Sequence, residues 1–206
     1  MICREYLHFL GVCGIMQLLN KLEQEWIMQT NNTEIMINLR DEEWRFDYTD
    51  HDRMIARAIV FDDSGCFYFV RAERDDDFGK ATLIETSGGG VEEGEKLQDA
   101  ILRELGEELG VCAEIICKIG VVSDYYNLIH RHNINNYFLC RVTSFGEKSL
   151  TPEEVECFRL STLKMTYEEA LAEYELRTST KLGRLIANRE LPVLKKAKEL
   201  LDAIGV

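Results

Sequence analysis

Three glutamates, Glu104, Glu107 and Glu108, stand together in the stretch GGVEEGEKLQDAILRELGEELGV at residues 89–111. On a helix, with Glu104 as origin, Glu107 falls about 60° to one side and Glu108 about 40° to the other. Three carboxylates therefore share one face, while Leu102, Leu105 and Leu109 gather on a neighbouring face, the natural core side. Like charges at these spacings cost a helix roughly 0.2–0.5 kcal/mol each. The stretch holds seven acids (Glu92, Glu93, Glu95, Asp99, Glu104, Glu107, Glu108) against Lys96 and Arg103. A solvated acidic face is the simplest alternative, but it leaves the one-sided stacking beside a glycine run unexplained. A hard divalent cation turns the repulsion into coordination. Carboxylates plus a backbone carbonyl suit Mg²⁺ or Mn²⁺ rather than zinc.

Gly88-Gly89-Gly90 precedes this helix. Alone, such a run is usually a turn. Placed before an acidic helix, it can offer amides and a carbonyl to a phosphate–metal complex. With its glycines and glutamates together, the segment resembles the Nudix box. That pattern is Gly, five residues, Glu, seven residues, then Arg-Glu-apolar-any-Glu-Glu-any-Gly-apolar. Gly89, Glu95, Arg103, Glu104, Leu105, Glu107, Glu108, Gly110 and Val111 fill the nine specified positions.

The resemblance implies an α/β fold: an αβα sandwich with a mixed sheet, the box forming loop–helix–loop. It implies that Glu104 and Glu108 bind Mg²⁺ (or Mn²⁺) directly. Glu107 would bind or organise a metal or its water, and the Gly89 carbonyl would be a further ligand. Arg103 and Glu95 would brace the glutamates by ion pairing. The implied reaction is metal-dependent cleavage of a pyrophosphate in a nucleotide-type small molecule. A general base or extra ligand often follows the box in this family, which points to Glu154, with Glu153 second, in TPEEVE at residues 151–156. The run Glu85-Thr86-Ser87-Gly88-Gly89 resembles the segment before the box in ADP-ribose pyrophosphatases, with Ser87 in place of Pro. Tyr125 and Tyr126 resemble the diadenosine-polyphosphate branch instead. We expect a nucleoside diphosphate sugar such as ADP-ribose. A triphosphate or diadenosine polyphosphate substrate is the alternative, as is a non-catalytic nucleotide sensor that would normally have lost box glutamates.

These residues need elements to hold them. Two short, mainly apolar runs predict strands at 54–61 and 66–72 around the turn Asp62-Asp63-Ser64-Gly65, then a charged loop at 75–80 and a short strand at 83–86. A helix over 96–109 stops at Gly110. Strands at 114–123 and 136–142 flank a loop at 127–135, and a last strand lies at 158–163. Tyr125, Tyr126, His130, Arg131 and His132 sit in or beside that loop; for each, packing is the commoner role than stacking on a base. Three C-terminal helices are expected at 166–174, 178–188 and 192–204, the last opened by Pro192.

Residues 1–50 lie outside the resemblance. They are expected to form an N-terminal extension, a helix over 6–28 and a polar connector with a strand at 34–39, ahead of the Nudix-like domain at 51–206. The apolar stretch of residues 6–19 is too short to span a bilayer and lacks a signal peptide's cleavage site. Its apolar face allows packing on the domain or a homodimer contact. The net charge of −13 argues against nucleic-acid or anionic-membrane binding. Seven scattered cysteines with no C-x-x-C pair read as reduced thiols in a cytoplasmic protein.

Overall fold

Along MIARAIVF, successive side chains point to opposite faces of the sheet, and both faces are apolar except for Arg57, because both are covered. The computed structural model describes residues 34–205. The expected N-terminal helix lies outside them. The strands are β1 (Ile35–Asn38), β2 (His51–Phe61), β3 (Phe67–Asp76), β4 (Gly79–Glu85), β5 (Ser87–Gly90), β6 (Val111–Tyr126), β7 (Arg131–Phe145) and β8 (Ser161–Met165). They form one mixed sheet in the order β1-β6-β7-β2-β3-β4, with β5 paired to β2 and β8 to β3. β1 runs parallel to β6 and β2 parallel to β7, whereas β6 and β7 form a long antiparallel hairpin. β1 comes from the polar connector, so the chain ahead of residue 51 already contributes to this sheet.

The helices are α1 (Leu97–Glu104, prolonged by a π turn at Leu105–Leu109), α2 (Pro152–Glu156), α3 (Tyr167–Arg177) and α4 (Lys181–Ile204). On one face of the sheet, Ala56, Ala58, Val60 and Phe138 pack with Ala100, Ile101, Leu105 and Leu109. On the other, Tyr137, the neighbour of Phe138, donates its hydroxyl hydrogen to Glu190 of α4 (3.1 Å). This is the expected αβα sandwich. Among the described residues, no helix is long and apolar enough to cross a membrane, and all five described cysteines are free.

Several expectations are corrected. The charged run at 75–80 is the tip of the β3–β4 hairpin, with Asp76 held by Arg74 Nε (2.8 Å). The loop at 127–135 shrinks to one 3₁₀ turn, Asn127–Ile129, because residues from 131 onward pair with both β2 and β6. The last strand begins three residues later than expected, at Ser161. The acidic segment after Thr151 is a short helix closed by a capping box: Glu154 N donates to Thr151 Oγ1 (3.3 Å), and Thr151 N donates to Glu154 Oε2 (2.7 Å). The last two helices are one, with Pro192 inside α4. Pro192 removes one helical hydrogen bond, but buried residues on both sides of it, Ile186, Val193, Leu194 and Ala197 among them, hold the helix to the sheet.

Candidate active site

The glycine run is a strand rather than a loop. β5 pairs antiparallel with β2, setting Gly88 opposite Arg57 and Gly89 opposite Ala56. Gly88 has φ of +142°, and a Cβ there would stand 2.2 Å from Ala56 O. Only glycine fits so close to a neighbouring backbone.

The helix carries its glutamates inward. Glu104 and Glu108 are each only 8% exposed, whereas Leu102 is 40% exposed. The core side is thus Ala100, Ile101, Leu105 and Leu109, not the expected Leu102. The π turn accounts for part of this, since it breaks the 100° spacing after Glu104. Glu108 Oε2 accepts hydrogen bonds from Ser87 Oγ (2.6 Å) and Gly88 N (2.9 Å). Even so, burial pushes its carboxyl up to about 7. Burial also raises Glu104, opposed by Arg103. Ser87, which stands where the resemblance has Pro, thus anchors a box glutamate.

Arg103 ties the segment together with five hydrogen bonds. They go to both oxygens of Glu95 (2.9 and 3.1 Å), Glu104 Oε1 (2.8 Å), Glu107 Oε2 (3.1 Å) and Gly90 O (3.1 Å). Its hydrogen bonds to Glu95 raise the guanidinium's pKa and lower that of Glu95. The box residues named from sequence are therefore brought together: Gly89, Glu95, Arg103, Glu104, Glu107 and Glu108.

A cavity of about 240 Å³ opens beside them, lined by Gly88, Gly89, Gly90, Glu104, Glu108 and Glu154, together with Arg53, Arg57, Arg74, Glu85 and Phe158. Glu154 reaches this cavity and Glu153 does not. Tyr125, Tyr126, His130, Arg131 and His132 do not line it. Tyr125 stacks on His132, and His130 on Tyr48. Tyr126 is buried, its hydroxyl accepting from Arg189 Nη1 (2.8 Å).

The arginines went unread in the sequence. Arg57 donates to Asn135 Oδ1 (3.2 Å) and Thr86 O (3.0 Å), with Glu85 3.7 Å away. Behind it, Arg189 of α4 is 1% exposed. It reaches Glu85 (3.3 Å), Asp124 (3.4 Å) and Glu190 (2.9 Å). A signal was present: Arg53 and Arg57 share one face of a strand otherwise apolar, and a charge in such a run needs a partner or a ligand.

A family model for the NUDIX domain matches residues 51–181, more than half of the 206-residue chain. The chain belongs to the Nudix family. Membership places it among hydrolases of phosphoric anhydrides, which act on nucleotide-type small molecules and generally use divalent cations. Solved Nudix structures share the fold. A NUDIX hydrolase from Nitrosomonas europaea is 16% identical, over 74% of this chain and 90% of its own, with a TM-score of 0.54. An ADP compounds hydrolase is 18% identical over 77% and 76%, with a TM-score of 0.52. A MutT protein from Methanosarcina mazei Go1 is 14% identical over 75% and 97%, also with a TM-score of 0.52. Comparison with curated protein sequences finds no match.

The donor set suits a hydrated hard cation. Two buried carboxylates, Glu104 and Glu108, and the Gly89 backbone all offer oxygen. Among the described residues, no three metal-ligating side chains converge on one point, and Glu107 is held by Arg103. Two carboxylates with water completing the shell is the arrangement Mg²⁺ favours.

Proposed function

We propose that this Nudix chain hydrolyses the pyrophosphate bond of a nucleoside diphosphate linked to another group, with a sugar such as ADP-ribose's the favoured one. The observation that carries the reading is the cavity that buried Glu104 and Glu108 line together with the glycine strand and three arginines, Arg53, Arg57 and Arg74. Mg²⁺, with Mn²⁺ as substitute, would be held by Glu104, Glu108 and the Gly89 carbonyl, with Glu107 close by. Once bound, it neutralises phosphate oxygens and lowers the pKa of a bound water. Arg103 bridges Glu104 and Glu107 through one nitrogen and holds Gly90 O of β5 through another, which fixes both carboxylates beside the glycine strand. Arg57 supplies fixed positive charge for the substrate phosphates, in a protein whose net charge is −13. Glu154, through the oxygen not used by Thr151 N, takes the proton as water attacks phosphorus. The new P–O bond forms as the bridging P–O bond breaks, giving a nucleoside monophosphate and the phosphorylated remainder.

Release of these products from ADP-ribose, diadenosine tetraphosphate and the deoxynucleoside triphosphates, with and without Mg²⁺, tests the reading. We expect Mg²⁺-dependent turnover, highest on ADP-ribose, and loss of most of it in Glu104→Gln and Glu108→Gln. A tenfold preference for a triphosphate overturns the sugar assignment. Near wild-type rates in both variants at saturating Mg²⁺ overturn the glutamate assignment.

A further inference from the structure

Arg53 and Arg131 lie near the starts of two adjacent parallel strands. In the β2–β7 register, His51 pairs with Arg131 and Arg53 with Asn133. Alternate residues along a strand share a face, so Arg53, Arg131 and Asn133 lie on the face that carries Arg57 and Asn135. Arg57 is already engaged by Asn135 and Thr86. The other two guanidiniums are not: among the described residues neither has a carboxylate partner or a side-chain hydrogen bond. Arg131 Nε and Asn133 Oδ1 are both buried without a partner. The Arg131 guanidinium stacks over the Tyr126 ring at 5.5 Å, and Arg53 lies against the backbone of Gly90, beside the box.

Arg131 is half-buried and Arg53 exposed, and a half-buried guanidinium is ordinarily paired. Here burial lowers the pKa of Arg131, and Arg53 is the next cause. Two cations held near each other without an anion are a cost that a bound dianion would remove. Arg53 also lines the cavity of Glu104 and Glu108, so an anion held by the pair would sit at that cavity's edge.

We propose that Arg53 and Arg131 bind a phosphomonoester on the nucleoside ribose of the substrate, outside the diphosphate that is cleaved. The preferred substrate is then a nucleoside diphosphate derivative bearing a 2′- or 3′-phosphate. This rests on the hydrolase function proposed above. A phosphomonoester dianion presents several acceptor oxygens, and two guanidiniums match them with paired N–H donors. The Tyr126 ring orients Arg131 for that contact.

The test compares ADP-ribose with ADP-ribose 2′-phosphate on the full chain with Mg²⁺, and pairs it with a metal-free binding measurement. We expect kcat/KM at least tenfold higher for the phosphorylated substrate, with the ratio falling to about one in Arg53→Gln and Arg131→Gln, chiefly through KM. Without metal, adenosine 2′,5′- or 3′,5′-bisphosphate should raise Tm more than adenosine 5′-monophosphate, and Arg131→Gln should abolish the difference. Equal kcat/KM for the two substrates, together with equal Tm shifts, overturns the inference and leaves the hydrolase reading standing. A bisphosphate shift that depends on Arg131, in a chain that cleaves no diphosphate, supports the phosphate site and overturns the hydrolase reading instead.

Discussion

The Glu104 carboxylate occupies the space that a side chain on residue 89 would need: a Cβ on Gly89 would stand 2.5 Å from Glu104 Oε1. Glycine at 89 therefore sets where a box glutamate rests. Gly89→Ala should push that carboxylate aside, lowering kcat by ~10²-fold, the scale of an ångström-sized misplacement. The far end of Glu104 can move, so the fold should survive. Stopped-time assays beside a thermal melt check this, and an unchanged kcat would show that the contact has no role.

Arg103 is the second lever. A lysine keeps the charge but cannot span Glu95, Glu104, Glu107 and Gly90 O at once. Arg103→Lys should cost about 10–100-fold in activity or metal affinity, the usual scale for a group that orients ligands. Activity titrated against Mg²⁺ concentration separates the two. Wild-type behaviour throughout would reduce Arg103 to a surface ion pair.

Glu154 lines the cavity and also closes a capping box, so its two roles need separating. Glu154→Gln should slow turnover at least tenfold. Thr151→Ala breaks the cap but leaves the carboxylate, and should cost far less rate. Glu153→Gln, outside the cavity, is the control. Rate loss confined to that control would move the role one residue, and none in either glutamate variant would remove it from this segment.

Asp62 supplies a pH dependence. Burial works to raise its carboxyl, but hydrogen bonds from Lys164, Ser64, Tyr68 and Cys66 N outweigh it and hold the pKa well below the usual carboxylate range. A depressed pKa contributes stability that is complete above the unfolded value of roughly 4 and is lost as pH falls toward the folded value. Asp62→Asn should therefore cost about 1–2 kcal/mol at neutral pH, and the gap to wild type should narrow below about pH 4. Denaturant melts at pH 7 and pH 3 measure it. A gap that widened in acid would contradict the assignment.

The box was legible because its chemistry is written at fixed spacing: Gly89, Glu95, Arg103, Glu104 and Glu108 meet in space as their order suggested. The side of α1 that is buried was less so. An ideal helical wheel favours Leu102, but the π turn and the inward-facing carboxylates bring Ile101 into the core instead. Pro192 looked like a helix start because local rules count its missing N–H, whereas the burial that overrides it is tertiary. The cavity arginines were hidden for a similar reason. Arg57, which lines the cavity, and Arg189, which lies behind it, are 132 residues apart and share Glu85 only through the docking of α4.

Glu85 is shared between Arg57, which lines the cavity, and Arg189, which comes from α4. The segment recognised as a Nudix domain ends at residue 181, where α4 begins. Cutting the protein back to that segment would strip a positive charge from beneath the cavity, take the Arg189 partner from Asp124 and leave Glu85 to Arg57 alone, a far costlier loss than surface packing. The helix is thus a fitted keystone, and the smallest working version of this enzyme should reach past the boundary its family resemblance would suggest.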